Sequence, residues 1–408
     1  MTAREYPVFT VTPKAERSLR AGHPWVYGEE VTAVEGAYQN GDIVDVVSNK
    51  GRYLGTGWVN DHSKIRVRII SRNANDTFDE AFFRRRVRYA LDYRRTVMGE
   101  TDYRCCRLIF GEADQFPGLT VDRFENILVT QVLSLGMERR KDWVYRALVE
   151  LLREDGEQID AIYERNDVTI RTLEGLEQGK GFYQMEGLKT DLSGHVTITE
   201  NRIKYDVDYM EGQKTGFFLD QKYNRQAAAK LARGRQVLDC FTHTGAFALN
   251  AAAAGAEHVT AVDVSAFALE LAAENGKRNG LTNLDYKCAD VFDLLTEMAK
   301  EKKCDYDYII LDPPAFTKSR ATAKNAYHGY KEINRKAMRL LPRGGYLATC
   351  SCSHFMTDEM FRKMLQEAAL DAGVTLRQIE ARQQAPDHPI LPEVPETDYL
   401  KFYLLQVV

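Results

Sequence analysis

The sequence predicts an α/β protein whose C-terminal half is a doubly wound, mostly parallel sheet, preceded by a small β domain and an α+β region. Short alternating runs separated by turn signals fill residues 1–73, and arginine-rich helical and extended segments follow to 195. From 196 to the end, strand and helix patterns take turns. Such alternation is typical of a parallel sheet covered on both faces. We therefore predict three domains, at 1–73, 74–195 and 196–408.

The first region is predicted to be a β barrel or sandwich. Its strand-like runs include DIVDVVS (42–48) and SKIRVRII (63–70), with turn signals containing Asn and Gly between them. In and after the second run, Arg66, Arg68 and Arg72 fall on one face of a strand. That stripe fits contact with phosphates, and it fits a solvated sheet edge at least as well.

An arginine-rich helix is predicted at roughly 78–98, with Phe82, Val87 and Leu91 on its inner face. Six arginines crowd the remaining positions: Arg84, Arg85, Arg86, Arg88, Arg94 and Arg95. Such a concentration suits a surface that faces nucleic-acid phosphates. A solvated face with ion pairs explains the same residues, because charge runs are usually that.

Composition limits the classes of protein that the chain can be. At 408 residues with 44% hydrophobic and 28% charged residues it is globular, and no apolar run approaches the ~18 residues of a membrane span. With no apolar leader at its N-terminus, we expect a cytoplasmic location. Seven cysteines without CxxC spacing predict reduced thiols and no metal site. A formal charge of −4 argues against general nucleic-acid affinity, although a local basic face is compatible with it.

The strands after residue 196 end on acids, and ligands of parallel sheets bind at those strand ends. Asp239 closes the first strand, and Gly245 lies in the turn that opens the following helix. Asp263 closes the second, where an acid can accept both hydroxyls of a ribose, and Ser265 is the predicted N-cap of the next helix. Asp290 closes the third, where it can accept a hydrogen bond from the exocyclic amine of adenine.

These acids favour S-adenosylmethionine over NAD or ATP as the cofactor. The turn QVLDCFTHTG (236–245) has fewer glycines than the GxGxxG loop that cradles a pyrophosphate. Each acid alone is weak evidence, because acids commonly cap helices in α/β loops. Three in succession are much less easily explained as caps alone.

The fourth strand ends in LDPPAF (311–316), a segment suited to a flat substrate. Two prolines hold the backbone away from helix and strand, so Asp312 faces the cleft and Phe316 can cover a planar base. We predict Asp312 as a catalytic and cofactor-site residue, and Pro313, Pro314, Phe316 and Lys318 as substrate contacts. A rigid turn with a core phenylalanine is the structural alternative.

Two cysteines follow the fifth strand in LATCSCSH (347–354). A catalytic thiol must be exposed and its thiolate stabilised, and Lys318 and His354 are candidate contributors. Free cysteine is more often a buried small hydrophobe. Because Cys350 and Cys352 lie near the end of the strand, we predict that at least one of them is accessible.

Several longer motifs resemble those of the bacterial large-subunit (23S) ribosomal RNA cytosine-5 methyltransferases with an N-terminal PUA domain. They are GHPWVY (22–27), GEADQFPGLTVDRF (111–124), YERND (163–167), GQKTGFFLDQKYNR (212–225), LDCFTHTGAF (238–247), LDPPAF and TCSCSH. The resemblance spans essentially the whole chain. It implies a β-barrel PUA domain, a middle domain of β-β-α-β-β type and a class I, Rossmann-like methyltransferase domain.

The resemblance also implies partners and site residues. The partner would be large-subunit ribosomal RNA, free or in an assembly particle, and a homodimer is compatible with the family. Its GQKTGFFLDQ segment lies against the cofactor, which implies cofactor contacts for Lys214, Thr215, Gly216, Phe217 and Asp220. The family nucleophile is the middle residue of Ser-Cys-Ser, which matches Cys352. Other RNA cytosine-5 methyltransferases carry Thr-Cys-Ser, which matches Cys350, so the choice between the two thiols stays open.

The implied reaction produces 5-methylcytidine through a covalent bond between a cysteine and cytosine C6. One alternative is a methyltransferase of amino groups, such as guanine N2, because Asp-Pro-Pro-x-Phe also resembles the motif that holds an exocyclic amine. That reaction needs no cysteine. A second alternative is a non-catalytic RNA-binding or ribosome-assembly protein, which would have no affinity for S-adenosylmethionine.

Overall fold

The computed structural model describes residues 5–301, 304–317 and 319–408 and divides the chain into two compact units. The chain passes between them more than once. The first unit contains Met1–Ile198, Val207–Leu219 and Pro386–Thr397, and the second contains Thr199–Asp206, Asp220–Ala385 and Asp398–Val408. No helix in the described part of the chain combines the length and the apolarity needed to cross a bilayer.

The first unit begins with the predicted small β domain, a six-stranded sheet. Its elements are β1 (Val8–Val11), α1 (Pro13–Arg20), β2 (Trp25–Tyr27), β3 (Val31–Glu35), β4 (Ile43–Ser48), β5 (Tyr53–Val59) and β6 (Ile65–Ser71). The strand order is β2-β6-β5-β4-β1-β3, with β1 parallel to β4 and the other pairs antiparallel. Thr12 caps α1 by accepting a hydrogen bond from the backbone N–H of Ala15.

A five-stranded sheet with two longer helices follows in the same unit. Its elements are α2 (Glu80–Val97), β7 (Cys105–Phe110), β8 (Leu119–Phe124), β9 (Ile127–Val132), α3 (Leu135–Glu138), α4 (Lys141–Glu154), β10 (Ala161–Asn166) and β11 (Gly179–Phe182). The order is β11-β10-β9-β8-β7, and only β9 and β10 run parallel, with the helical connection between them. The helix predicted at roughly 78–98 is confirmed as α2, which Asp79 caps.

Ion pairs account for five of the six arginines on α2. Arg84 donates to Glu150 and Glu154, and Arg85 lies 3.5 Å from Asp76. Carboxylates also bind the other three: Arg88 and Arg95 share Asp155, and Arg94 binds Asp114. These contacts support the explanation of the arginine-rich face as a solvated surface with ion pairs. Arg86 has no carboxylate within 4 Å among the described residues, and its Nη1 donates to Gln115 instead.

The second unit contains a seven-stranded sheet. The hairpin of β12 (His195–Glu200) and β13 (Ile203–Asp208) precedes it. The strands are β14 (Gln236–Cys240), β15 (His258–Asp263), β16 (Leu284–Cys288), β17 (Tyr308–Leu311), β18 (Tyr346–Ser351), β19 (Leu376–Arg382) and β20 (Lys401–Val407). The helices are α5 (Lys222–Ala229), α6 (Ala246–Ala253), α7 (Ala266–Arg278), α8 (Val291–Glu301), α9 (Ala323–Leu340) and α10 (Asp358–Ala372).

Both faces of this sheet are buried, so the predicted doubly wound α/β fold is confirmed. Leu238 and Leu311 belong to one apolar cluster, while Val237 and Ile310, their neighbours along the same strands, belong to a separate one. The strand order is β16-β15-β14-β17-β18-β20-β19, parallel from β16 to β18 and antiparallel beyond it. Burial of alternate residues on opposite faces is what helices on both sides of a sheet require.

The strand order fixes where a ligand binds. It reverses at β14, which pairs with β15 on one side and with β17 on the other. At such a reversal the loops leave the sheet in opposite directions and open a crevice at the carboxyl ends of the strands. The predicted acids at the ends of β14, β15 and β17 lie on this edge. The antiparallel strands β19 and β20 had no counterpart in the sequence-based prediction.

Candidate active site

Asp239, in β14, is a fully buried acid at the centre of the crevice. Its Oδ2 accepts a hydrogen bond of 2.6 Å from the hydroxyl of Thr242, and its Oδ1 has no hydrogen-bond partner among the described residues. Burial, together with the nearby carboxylates of Asp312 and Asp263, raises the pKa of Asp239 to about 7. A buried carboxylate is costly unless a donor or cation satisfies it, so this strand end is suited to a positively charged ligand.

The loop after β14 has a strained backbone. Phe241, His243 and Gly245 have φ angles of 64°, 52° and 85°, and the first two carry side chains that disfavour this region. At Gly245 an added Cβ would lie 2.4 Å from Leu249 Cδ1, so only glycine fits where α6 begins. Strain of this kind concentrates at ligand sites, where surrounding contacts hold it in place.

Asp263 joins two of the loops at this edge. Its Oδ2 accepts from the backbone N–H of His243 and its Oδ1 from that of Ser265, both at 2.9 Å. Each oxygen keeps a second lone pair, so the carboxylate can still accept hydroxyl donors. The predicted N-cap is confirmed, since Ser265 Oγ accepts from the backbone N–H of Ala268.

Two apolar side chains beside Asp263 were missed by the sequence-based prediction. Val264 is 72% exposed and Phe267 is 65% exposed, which is unusual for large apolar residues. They provide apolar surface of the kind that a planar ring covers. The available signal was their position, since Val264 follows the strand-end acid directly and Phe267 lies four positions after it.

Asp290 is placed as a helix cap. It is exposed, and its Oδ1 accepts from the backbone N–H groups of Phe292 and Asp293 at the start of α8, at 2.8 and 3.1 Å. The geometry therefore supports a helix-capping role for Asp290, which is the alternative explanation for acids at strand ends. Its Oδ2 has no capping bond and is the oxygen that a ligand amine would reach.

Asp312 follows β17 and lies among polar partners. Its Oδ1 accepts from Gln221 Nε2 at 3.1 Å, and the thiol of Cys350 is near enough to lower the pKa of this carboxyl in part. Burial, with Asp220 as the next contributor, raises the pKa of Asp312 to about 6. Asp220 itself accepts a 2.6 Å hydrogen bond from the hydroxyl of Tyr399. Asp239, Asp312 and Asp220 thus form a cluster of acids, with the buried guanidinium of Arg225 near enough to lower the pKa of Asp312 in part.

The remaining predicted cofactor residues, 214–217, belong to the first unit. Lys214 is exposed, with its Nζ 4.8 Å from the centre of the Phe218 ring. The hydroxyl of Thr215 is committed to a 2.6 Å hydrogen bond with the buried carboxylate of Asp122. Gly216 has a φ of 121°, and a Cβ there would lie 2.8 Å from the carbonyl of Asp208. Phe217 is buried.

The predicted substrate segment is only partly open. Pro313 is buried and Pro314 is exposed, and Phe316 is half-buried. The Phe316 ring lies 4.5 Å, centre to centre, from that of buried Tyr330, so at least part of it packs in the core. Lys318 lies outside the described residues.

The two thiols at the end of β18 differ in accessibility. Cys350 is fully buried, and burial raises the pKa of its thiol well above the usual range. Cys352 is partly exposed. None of the seven cysteines forms a disulfide, in line with the predicted reduced thiols. Near them, Nδ1 of the half-buried His354 has no hydrogen-bond partner among the described residues.

A buried lysine supports the turn that carries Cys352. Lys401 pairs with Ser351 across β18 and β20, and its side chain is only 4% exposed. Its Nζ donates to the carbonyls of Ser353 (2.7 Å) and Tyr399 (2.9 Å). Burial lowers the pKa of Lys401 to about 8, and the Cys352 sulfur is close enough to raise it in part. No local pattern in the sequence marks this residue.

Comparisons with known proteins show which families the chain resembles. A model of the PUA-like domain matches residues 9–72, and a model of the S-adenosylmethionine-dependent methyltransferases matches residues 182–405. "Ribosomal RNA large subunit methyltransferase I" of Pseudoalteromonas atlantica is 40% identical over 98% of this chain and 99% of its own length. The protein of that name from Shewanella denitrificans is 42% identical over 97% and 98%.

The fold also matches a solved structure. A putative S-adenosylmethionine-dependent methyltransferase from Streptococcus mutans superposes with a TM-score of 0.81, covering 98% of this chain and 100% of that one. The two sequences are 22% identical, so the match concerns the fold alone. The predicted fold class, with a PUA-like domain before a methyltransferase domain, is confirmed.

Proposed function

We propose a reaction for this chain from one premise: it belongs to the family of S-adenosylmethionine-dependent methyltransferases that includes the ribosomal RNA large subunit methyltransferases I. The substrate in our proposal is large-subunit ribosomal RNA, and the product is 5-methylcytidine. The family supports the cofactor, and the names of its members support the RNA. The choice of cytosine C5 rests on the thiol at the end of β18.

The contrast between Cys350 and Cys352 carries the proposal. A nucleophile must reach its substrate, and Cys352 is partly exposed whereas Cys350 is fully buried with a raised pKa. Cys352 also follows β18, whose carboxyl end lies at the same edge of the sheet as those of β14 and β17. We therefore assign the nucleophile to Cys352 and a structural role to Cys350.

The proposed chemistry begins with the weakness of cytosine C5 as a nucleophile. The thiolate of Cys352 adds to C6, which forms a sulfur–carbon bond and raises the electron density at C5. S-adenosylmethionine supplies the methyl group that C5 takes up. A water or nearby carboxylate then removes the C5 proton, and the bond between C6 and Cys352 breaks to return the thiolate.

Asp312 and Lys401 assist Cys352 in this proposal. With a pKa raised to about 6, Asp312 exchanges a proton near neutral pH and suits hydrogen bonding to the ring edge of cytosine. Lys401 is a positioning residue, because it binds the carbonyl of Ser353 next to Cys352 and places a positive charge beneath the thiol. Positive charge near a thiol favours the thiolate.

The acids of the crevice are assigned to the cofactor. We propose that Asp263 binds the ribose hydroxyls and Asp290 the adenine amine, while Gly245 permits close approach of the ligand. Asp239, Asp312 and Asp220 face its positively charged methionine part. For Lys214, Thr215, Gly216 and Phe217 the support is the sequence resemblance alone.

We further propose that the chain is organised as three domains, at 1–73, 74–195 and 196–408. The PUA-like domain in the first of these would hold RNA, and Pro313, Pro314, Phe316 and Lys318 in the third would contact the target base. The match of the PUA-like model to residues 9–72 supports the first boundary.

Tritium release tests the reaction. Unmodified large-subunit ribosomal RNA containing 5-tritiated cytosine is incubated with the protein, with and without S-adenosylmethionine. We expect release that depends on the cofactor, abolished in Cys352→Ala and retained in Cys350→Ala, which removes a thiol of the same kind two residues away. Methyl incorporation without tritium release, or full activity of Cys352→Ala, would overturn the C5 mechanism and favour an amino-group acceptor.

A further inference from the structure

A cavity in the first unit has no role in the proposed reaction. It encloses about 270 Å³, and its lining includes Arg72 after β6, Arg86 of α2, and Glu112 and Gln115 between β7 and β8. At about 30 Å³ for each water molecule, the volume corresponds to roughly nine waters, enough for a phosphate group and part of its hydration shell.

The two arginines of this cavity differ from their neighbours in having no ion pair. Among the described residues, neither Arg72 nor Arg86 has a carboxylate within 4 Å, whereas the other five arginines of α2 each have one. Arg72 Nη2 donates to the carbonyl of Gly22 at 2.5 Å. Both guanidinium groups are partly desolvated, and burial lowers the pKa of each. Both stay charged at neutral pH.

The two acids that line the cavity, Asp76 and Glu112, already have polar partners, although Asp76 is also near enough to Arg86 to raise its pKa in part. Asp76 accepts from the hydroxyl of Ser71 at 2.6 Å and pairs with Arg85. Glu112 accepts from Trp25 Nε1 at 2.9 Å and lies 3.5 Å from Arg68. The exposed Glu393 is near enough to Arg72 to raise its pKa slightly, without forming an ion pair. The formal charges of the lining therefore balance, but both acids have polar partners, whereas neither Arg72 nor Arg86 has a carboxylate within 4 Å among the described residues.

The cavity is also preorganised. The guanidinium of Arg86 lies 4.6 Å from the centre of the Phe82 ring and donates to the side-chain oxygen of Gln115, which leaves the amide nitrogen of Gln115 as a further donor. Tyr89, one turn along α2 from Arg86, is 61% exposed. Fixed cations beside an exposed aromatic ring are the combination with which proteins bind phosphates and adjacent bases.

We propose that this cavity binds a backbone phosphate of the RNA substrate, with Arg72 and Arg86 as its two cationic ligands. The inference rests on the proposed RNA substrate but not on the cytosine reaction. A phosphodiester has the charge and the paired oxygens that a guanidinium fork binds. The site holds RNA in position and reads no sequence, because phosphate contacts carry no information on the bases.

RNA binding without a methyl donor tests the proposal. Fluorescence anisotropy measures affinity for unmodified large-subunit ribosomal RNA over a range of salt concentrations, for Arg72→Gln, Arg86→Gln and Arg84→Gln. The last variant is the matched control, since Arg84 lies on the same helix but binds Glu150 and Glu154 outside the cavity. Thermal unfolding of each variant checks its fold. If Arg86→Gln is destabilised, the conclusion rests on Arg72→Gln, because Arg72 is the more exposed of the two.

We expect each cavity variant to lose about tenfold in affinity at low salt, and the slope of log affinity against log salt to fall by ~0.7–0.9 per arginine. Arg84→Gln should change neither. Equal losses in all three variants, or none in the cavity variants, would overturn the phosphate site. If inorganic phosphate stabilises the protein through Arg72 and Arg86 while RNA affinity is unchanged, the site takes a free anion and the proposal fails. No RNA binding by the unsubstituted chain would overturn the RNA substrate as well.

Discussion

Paired charges in the core of the first unit contrast with a cluster of acids in the second, where the buried Arg225 is nevertheless paired with Glu200. In the first unit Arg94 binds Asp114 at 2.7 Å, and Arg107 binds Asp122 through two nitrogens, all within or near the core. In the second, neither Asp239 nor Asp312 has a basic side chain within 4 Å among the described residues, and burial raises the pKa of both, although the guanidinium of Arg225 lowers that of Asp312 in part. Buried ion pairs are part of the folded structure, and breaking one destabilises it. Buried charges without such a partner are candidates for ligand contacts.

Breaking a pair in the first unit should give the largest effect. Asp114→Ala leaves the fully buried guanidinium of Arg94 without its carboxylate, so we expect the free energy of unfolding to fall by about 3–5 kcal/mol. Urea unfolding followed by fluorescence measures it. Arg84→Gln, which breaks only surface ion pairs, should cost less than about 1 kcal/mol. Similar values for the two variants would contradict the distinction between structural pairs and surface pairs.

Neutralising an unpaired acid of the second unit should weaken binding instead of folding. For Asp239→Asn we expect S-adenosylmethionine affinity to fall about 10- to 100-fold, measured by calorimetry, because a charge-assisted contact is lost. Because the folded-state pKa of about 7 lies above the unfolded value, Asp239 contributes stability at low pH that is lost as the pH rises through 7. The variant should therefore lose less stability than the unsubstituted chain between pH 5 and 8.

Two results would contradict this view of Asp239. One is an unchanged affinity for the cofactor, which would mean that the buried acid does not face the ligand. The other is a stability that falls with pH as steeply in Asp239→Asn as in the unsubstituted chain, since that slope would then come from other groups.

The smallest expected effect is a shift in the pH dependence of the rate on substitution of Lys401, a buried cation of the second unit. Lys401 binds carbonyls and no carboxylate within 4 Å among the described residues. If its charge favours the thiolate of Cys352, Lys401→Met should shift the acidic limb of the pH–rate profile upward by about one pH unit. Lys401→Arg should restore the limb. A uniform loss of rate at every pH would mean that Lys401 only holds the turn in place.

The sequence predicted what depends on local patterns. Alternating strands and helices predicted the doubly wound sheet, and Ser265, two positions after a strand-end acid, was identified as an N-cap. The pairing of the arginines of α2 could not be predicted from local sequence. Six similar residues share one helix, and only the carboxylates of α4 and of nearby loops, distant in sequence, decide which five are paired.

The candidate site was predictable to the same degree. Strand-end acids and the two cysteines stand out because they follow recognisable strands. Lys401 does not, because its role depends on the register that places it opposite Ser351, 50 residues earlier in the chain. Similarly, no periodic pattern links the hydroxyl of Thr215 to Asp122, a contact that spans 93 positions. Such pairings depend on the tertiary fold.

The segment Pro386–Thr397 has a consequence for how the protein is made. It belongs to the first unit, where the carbonyl of Asp387 accepts from Arg94 and its side chain accepts from the backbone N–H of Arg107, each at 2.9 Å. A polypeptide emerges from the ribosome N-terminus first. The first unit therefore cannot satisfy these buried donors until nearly all of the second unit has been translated. A prematurely terminated chain would leave both units incomplete.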